Sequence, residues 1–91
     1  MEFGTRVTTL ADVSARSVIF YWRPGCGFCT RLERALADAN IELDRRNIWE
    51  DDTSADFVRS VNRGNETVPT LVVGNRTLTN PRASEVLALL S

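Results

Sequence analysis

The segment Arg23-Pro24-Gly25-Cys26-Gly27-Phe28-Cys29 (RPGCGFC) holds both cysteines of a 91-residue chain. Its flanks decide how the chain folds. Upstream, Ser17 to Trp22 (SVIFYW) is continuously apolar and rich in β-branched and aromatic residues, the pattern of a central strand buried on both faces. Arg23-Pro24-Gly25 ends it with turn chemistry. Downstream, from Cys26 to Asn40, the period becomes helical. Cys29, Leu32, Leu36 and Ala39, with Ala35 alongside, fall on one face at three- and four-residue steps. Asn40 suits the stop. Ile41 to Ile48 (IELDRRNI) then alternates Ile41 and Leu43 with Glu42 and Asp44, which predicts a second, less buried strand. Strand, helix and strand at this spacing make a βαβ unit with parallel strands and a right-handed crossover.

The rest of the chain extends the unit. Asp51 to Ser54 is an acidic, cap-rich lead into a second helix with Phe57, Val58 and Val61 facing inward and Gly64 as its stop. Thr70–Val73 and Arg76–Leu78 read as short strands joined through Gly74-Asn75, a tight hairpin. Asn80 as N-cap and Pro81 at the first helical position open a last helix, whose apolar stripe is Ala83, Val86, Leu87 and Leu90. The expected order is β-α-β-α-β-β-α without repeat or internal linker. Residues 1–16 (MEFGTRVTTLADVSAR) read as a weakly structured N-terminal extension. Within it, Thr9 to Val13 is a candidate helical turn, and MEFGT is compatible with an added cloning sequence. The domain proper is 17–91.

Composition narrows the function. A 43% hydrophobic and 25% charged chain is ordinary for a single soluble domain, and a net charge of −1 leaves no footprint for nucleic acid or an acidic membrane. No apolar run approaches the roughly 20 residues that span a bilayer, and the N-terminus lacks a signal-peptide pattern, so the cytoplasm is the expected location. All eleven basic residues are arginine and histidine is absent. Such usage hints at a GC-rich, actinobacterial genome and removes any His-based ligand or base.

Three readings of Cys26 and Cys29 compete: half a zinc site, a chance buried pair, or a redox pair. A self-contained structural zinc site needs four ligands, and two cysteines with no histidine fall short, so no metal is expected. A redox pair fits the position. A cysteine at a helix N-terminus meets unsatisfied N–H groups and the positive end of the helix dipole, which favour the thiolate that attacks disulfides. Cys29 lies one turn further along, close enough to close a disulfide. CxxC on a βαβ pattern reads as a thioredoxin-like redox site. Arg23 would add positive charge near Cys26, or be a solvated turn residue; Phe28 would shield the pair or form an apolar rim. In Thr67-Val68-Pro69-Thr70 a proline introduces a strand, where no ladder N–H is needed, at the one common site for a cis bond.

The element order, the CxxC at the first helix start and TVP before the third strand together resemble the thioredoxin superfamily. The short chain, with its sheet starting at Ser17, looks like the glutaredoxin branch. Within that branch CGFC, FVRSVNRGNETVPT (Phe57–Thr70) and LTNPRASEV (Leu78–Val86) are similar to mycoredoxins, the actinobacterial glutaredoxin-like proteins that work with mycothiol; the resemblance covers roughly Ser17 to Leu90. It implies an α/β thioredoxin-like (glutaredoxin) fold, a four-stranded mixed sheet flanked by helices, with Pro69 cis beside the cysteine pair and Val68 presenting backbone groups to the incoming thiol or disulfide. Glutathione-using members carry a Gly-Gly turn and acidic residues where this chain has Leu78-Thr79-Asn80-Pro81, which points away from glutathione. Thr79, Asn80 and the last helix N-terminus would serve a sugar–inositol thiol. Mycoredoxins tend to have an aromatic just before the first cysteine, where Gly25 stands, and Arg23 occupies the place of a basic residue common in glutaredoxins.

The resemblance implies a thiol–disulfide oxidoreductase acting on mycothiolated or disulfide-containing proteins. It implies mycothiol as thiol co-substrate, recycled by an NADPH-dependent disulfide reductase, no tightly bound cofactor and a monomer. Two alternatives stand beside it: a thioredoxin-like electron donor reduced by thioredoxin reductase, and an iron–sulfur cluster carrier using one cysteine from each of two chains.

Overall fold

The structure, a computed structural model, describes residues 17–90; the expectations for residues 1–16 lie outside them. The elements run β1 (Ser17–Trp22), α1 (Gly27–Asp38), β2 (Glu42–Asn47), α2 (Asp52–Val61), β3 (Thr70–Val73), β4 (Arg76–Thr79) and α3 (Ala83–Leu90). They build one four-stranded sheet in the order β2-β1-β3-β4. β1 pairs parallel with β2 and antiparallel with β3, and β3 pairs antiparallel with β4. The sheet is therefore mixed, and the expected architecture is present.

β1 is continuously apolar because both of its faces are covered. Val18 and Phe20 join Cys29, Leu32 and Leu36 of α1 and Val86 of α3 in one core cluster, with Leu71 and Val73 of β3. Tyr21, turned the other way, joins Ile48 and the Ala55 and Val58 of α2, with Ile19 and Val72 packed alongside. The Tyr21 ring stacks on Phe57 at 5.0 Å. Each large apolar side chain removed from water in this way stabilises by about 1.5–3 kcal/mol.

Helix ends follow the local chemistry. At the end of α1, Asn40 takes a left-handed backbone (φ 62) and the Ile41 N–H reaches back to the Leu36 carbonyl at 3.0 Å, a Schellman closure. α2 is capped by Asp51, whose carboxylate accepts from the Thr53 N–H and the Ser54 hydroxyl. Gly74, at φ 62, opens the two-residue turn between β3 and β4.

Three expectations need correction. Val61 does not face inward: it is 39% exposed, because the buried stripe of α2 runs through Ser54, Ala55 and Val58 and continues to half-buried Asn62 rather than Val61. Gly64 shares its role at the end of α2, since Arg63 already holds the left-handed position (φ 57) before Gly64 (φ 88). Asn80 is not an N-cap, nor Pro81 the first helical residue. β4 runs to Thr79 and the Asn80 N–H then bonds the Pro69 carbonyl at 2.7 Å, continuing the sheet edge by one step. Asn80 turns left-handed (φ 49), Pro81 is buried, and α3 starts only at Ala83. There the Glu85 carboxylate accepts from the Arg82 N–H at 2.7 Å, half of a capping box.

Candidate active site

The end of β1 delivers the chain to the N-terminus of α1, and Cys26 is the N-cap of that helix. Its backbone is extended, and its Sγ accepts the N–H of Cys29 at 3.1 Å. Sulfur thus stands where an N-cap oxygen normally does, against one of the orphan donors of the first turn. The Cys26 carbonyl receives the Thr30 N–H at 3.1 Å and the Thr30 hydroxyl at 3.2 Å, which fixes the turn beneath the sulfur. Cys26 and Cys29 are joined as a disulfide with Cα atoms 5.2 Å apart. Both residues are buried in the core, Cys29 at 3% exposed on the inner face of α1 and Cys26 at 8%. Among the described residues no group of three or more His, Cys, Asp or Glu side chains is arranged to hold a metal ion.

The Val68–Pro69 bond is cis. Val68 O lies 3.9 Å from Cys26 Sγ, so residues 42 positions apart in sequence meet at that sulfur. Pro69 is fully buried, and its carbonyl holds the Asn80 N–H. Cys26, Cys29, Val68, Pro69 and the Asn80 backbone therefore form one connected group.

The remaining expected site residues lie around it. Phe28, 59% exposed, carries the Arg31 guanidinium over its ring at 4.9 Å. The two residues line a groove of about 220 Å³ between α1 and the start of α3, with Leu32, Asn80, Pro81 and Arg82 on its other walls. Arg23 lies on a different side. Its Nη1 donates to the Pro24 carbonyl at 3.1 Å and its guanidinium stands 5.7 Å from the Trp49 ring. Thr79 is in β4 opposite Thr70, and its hydroxyl donates to Asn62 Oδ1 at 2.7 Å. Arg31, Trp49 and Asn62 were not singled out from sequence. Arg31 follows Phe28 by three residues and so shares its helix face, a signal that was available. The proximity of Trp49 and Asn62 is tertiary and left none.

A cysteine sulfur at a helix N-cap, a second cysteine one turn on and a cis-proline loop against the first sulfur define a thiol–disulfide oxidoreductase of the thioredoxin fold. The comparisons agree. The Glutaredoxin family model matches residues 18–78, and the chain belongs to that family. A Mycobacterium tuberculosis protein named as a glutaredoxin is 44% identical over 75 residues, covering 81% of this chain and 89% of the relative. Mycoredoxin 1 of Corynebacterium glutamicum is 36% identical over 73 residues, covering 79% and 90%. Among solved structures, the glutaredoxin-like NrdH-redoxin of Escherichia coli superposes with a TM-score of 0.70 at 19% identity, covering 80% of this chain and 93% of that one. A thioredoxin-like protein does so with 0.71 at 16% identity, covering 81% and 99%. No described helix is long and apolar enough to cross a membrane.

Proposed function

We propose that this glutaredoxin reduces mixed disulfides between mycothiol and protein cysteines, with Cys26 as nucleophile, in the cytoplasm and as a monomer. The observation that carries the nucleophile is the Cys29 N–H aimed at Cys26 Sγ at 3.1 Å, at the N-cap of α1. A negative charge at that sulfur is favoured by the donor and by the helix terminus. The relationship to Mycoredoxin 1 supports mycothiol as the thiol. So does the Asn80-Pro81 wall of the groove, which stands where glutathione-using members have a Gly-Gly turn and acidic side chains.

In the first step the Cys26 thiolate attacks the mycothiol-side sulfur of the mixed disulfide. A Cys26–mycothiol disulfide forms, and the substrate thiolate leaves and takes a proton from water. A second mycothiol, as thiolate, attacks the mycothiol sulfur of that intermediate. Cys26 thiolate returns, and mycothiol disulfide goes to its NADPH-dependent reductase. Cys29 instead resolves a Cys26 mixed disulfide intramolecularly, giving the Cys26–Cys29 disulfide and freeing the bound thiol; this branch serves protein disulfides. Val68 backbone groups and Pro69 bound the attack path. Phe28 and Asn80 line the thiol groove; Thr79, next to Asn80 and with its proton given to Asn62, keeps acceptor capacity for a sugar hydroxyl, and Arg23 adds positive charge in the turn before Cys26, outside the groove.

NADPH consumption in a coupled assay tests the reading, using a mycothiol–peptide mixed disulfide, mycothiol and mycothiol disulfide reductase. Cys26→Ser abolishes turnover and Cys29→Ser retains most of it. Equal loss in both variants rules out the monothiol cycle. Turnover with thioredoxin reductase alone would make the protein a dithiol electron donor instead.

A further inference from the structure

We infer that Asn62, at the C-cap of α2, is a positioning residue for the redox reaction, acting through buried Thr70 on the peptide that precedes Val68. The inference rests on Cys26 being the nucleophile. Asn62 Nδ2 donates one proton to the Val58 carbonyl at 2.8 Å and the other to Thr70 Oγ1 at 3.2 Å. Its Oδ1 accepts the Thr79 hydroxyl at 2.7 Å. Thr70 Oγ1 passes its own proton on to the Thr67 carbonyl at 2.7 Å. Every side-chain proton in this chain has a single acceptor, so the relay has one direction. A flipped amide would set its oxygen against the Val58 carbonyl, two acceptors face to face, so the Val58 contact fixes the orientation shown.

The Thr67 carbonyl belongs to the same planar peptide as the Val68 N–H. Holding that oxygen fixes the peptide that carries the Val68 N–H, on the residue whose own carbonyl stands 3.9 Å from Cys26 Sγ. Thr70 has no solvent exposure, so it acts on this plane without touching substrate. The relay spans the end of α2, β3, the end of β4 and the cis-proline turn, and thereby ties the turn to elements on both sides of it. A disulfide that must lie along Val68 while its sulfur meets Cys26 in line is sensitive to that plane. A small alkylating agent, which needs only the Cys26 sulfur, is not.

The test uses Cys29→Ser protein, in which Cys26 is the only thiol. Two second-order rates are measured by acid quench and mass spectrometry: Cys26 with bis(2-hydroxyethyl) disulfide and Cys26 with iodoacetamide. Misplacement by a fraction of an ångström supports a loss of about tenfold in the disulfide rate for Asn62→Ala and for Thr70→Val, given that about 1 Å can cost 10²-fold. The iodoacetamide rate stays within about twofold, and Thr70→Ser, which keeps the hydroxyl, restores the disulfide rate. Equal changes in both rates, or no change in either, overturn the inference. Should Asn62→Ala fail to fold, as circular dichroism would report, the near-isosteric Thr70→Val and its serine rescue decide alone. Cys26 inert to the disulfide in the parent protein would instead sink the nucleophile assignment.

Discussion

The Cys29 N–H that meets Cys26 Sγ at 3.1 Å has a measurable consequence once Cys29→Ser leaves Cys26 as the only thiol. A charge-assisted hydrogen bond to the thiolate contributes about 1.5–3 kcal/mol. The helix terminus adds about 0.3–1 kcal/mol. Burial of Cys26, a residue 8% exposed, acts in the opposite sense, on the order of 1 kcal/mol. The net, roughly 1–3 kcal/mol in favour of thiolate, lowers the folded-state titration relative to the unfolded chain. The assay is the pH dependence of reaction with 4,4′-dithiodipyridine, each profile normalised to its alkaline plateau. Normalisation removes differences in access and in intrinsic nucleophilicity. At about pH 6 the folded protein should retain a fraction of its plateau rate about 5- to 100-fold larger than the same protein unfolded in guanidinium, whose thiol titrates near 8.5. The sign carries over to stability. The thiolate contribution is fully present above the unfolded titration and is lost as pH falls through the folded one. Superimposable folded and unfolded profiles would refute the reasoning, because they would mean that burial cancels the N-cap.

Arg63 sits left-handed at φ 57 beyond α2, a conformation that costs a side-chain-bearing residue about 1–2 kcal/mol. Arg63→Gly should therefore raise stability by about 0.5–1 kcal/mol after the added freedom of the unfolded chain is subtracted, read as a higher urea midpoint at unchanged slope. The Asp44 carboxyl accepts from Arg46 at 2.7 Å and is held below the usual carboxylate range by that hydrogen bond. Its contribution is present above the ordinary carboxylate titration and is lost as pH falls through the lowered one. Asp44→Asn should flatten the acid limb of the stability curve by no more than about 0.5 kcal/mol, since the pair is exposed and screened; a larger change would contradict that assignment.

The parts of this molecule legible in sequence are those whose signal is local. β1 ends where an apolar run meets Arg23-Pro24-Gly25, and α1 closes where Asn40 can turn left-handed. Gly74-Asn75 marks its hairpin. The cysteine pair was readable because a helix N-terminus follows a buried strand at a fixed step. Asn80 misled because its local chemistry, Asn then Pro, suits a helix start, whereas a tertiary bond to the Pro69 carbonyl holds it at the sheet edge. Val61 misled because the helical period was read one step beyond the point where half-buried Asn62 takes over. The Asn62–Thr70–Thr67 relay joins three positions whose types are ordinary in isolation. Only the fold brings the end of α2 beside the residues flanking Pro69.

The strand order leaves β2 and β4 at the margins of the sheet. Between them these strands present Glu42, Asp44, Arg45, Arg46 and Arg76 to solvent. Strand addition by a second copy would bring such ionic side chains together and desolvate them. Apolar β1 and β3, the segments best suited to cross-chain stacking, are interior to the sheet. A redox protein must accept strangers at its reactive sulfur, and here the hydrogen-bonding margins that would recruit its own kind are defended by charge. Substituting β-branched residues at 44 and 46 would remove that defence and should surface as concentration-dependent association, with no change at the cysteines.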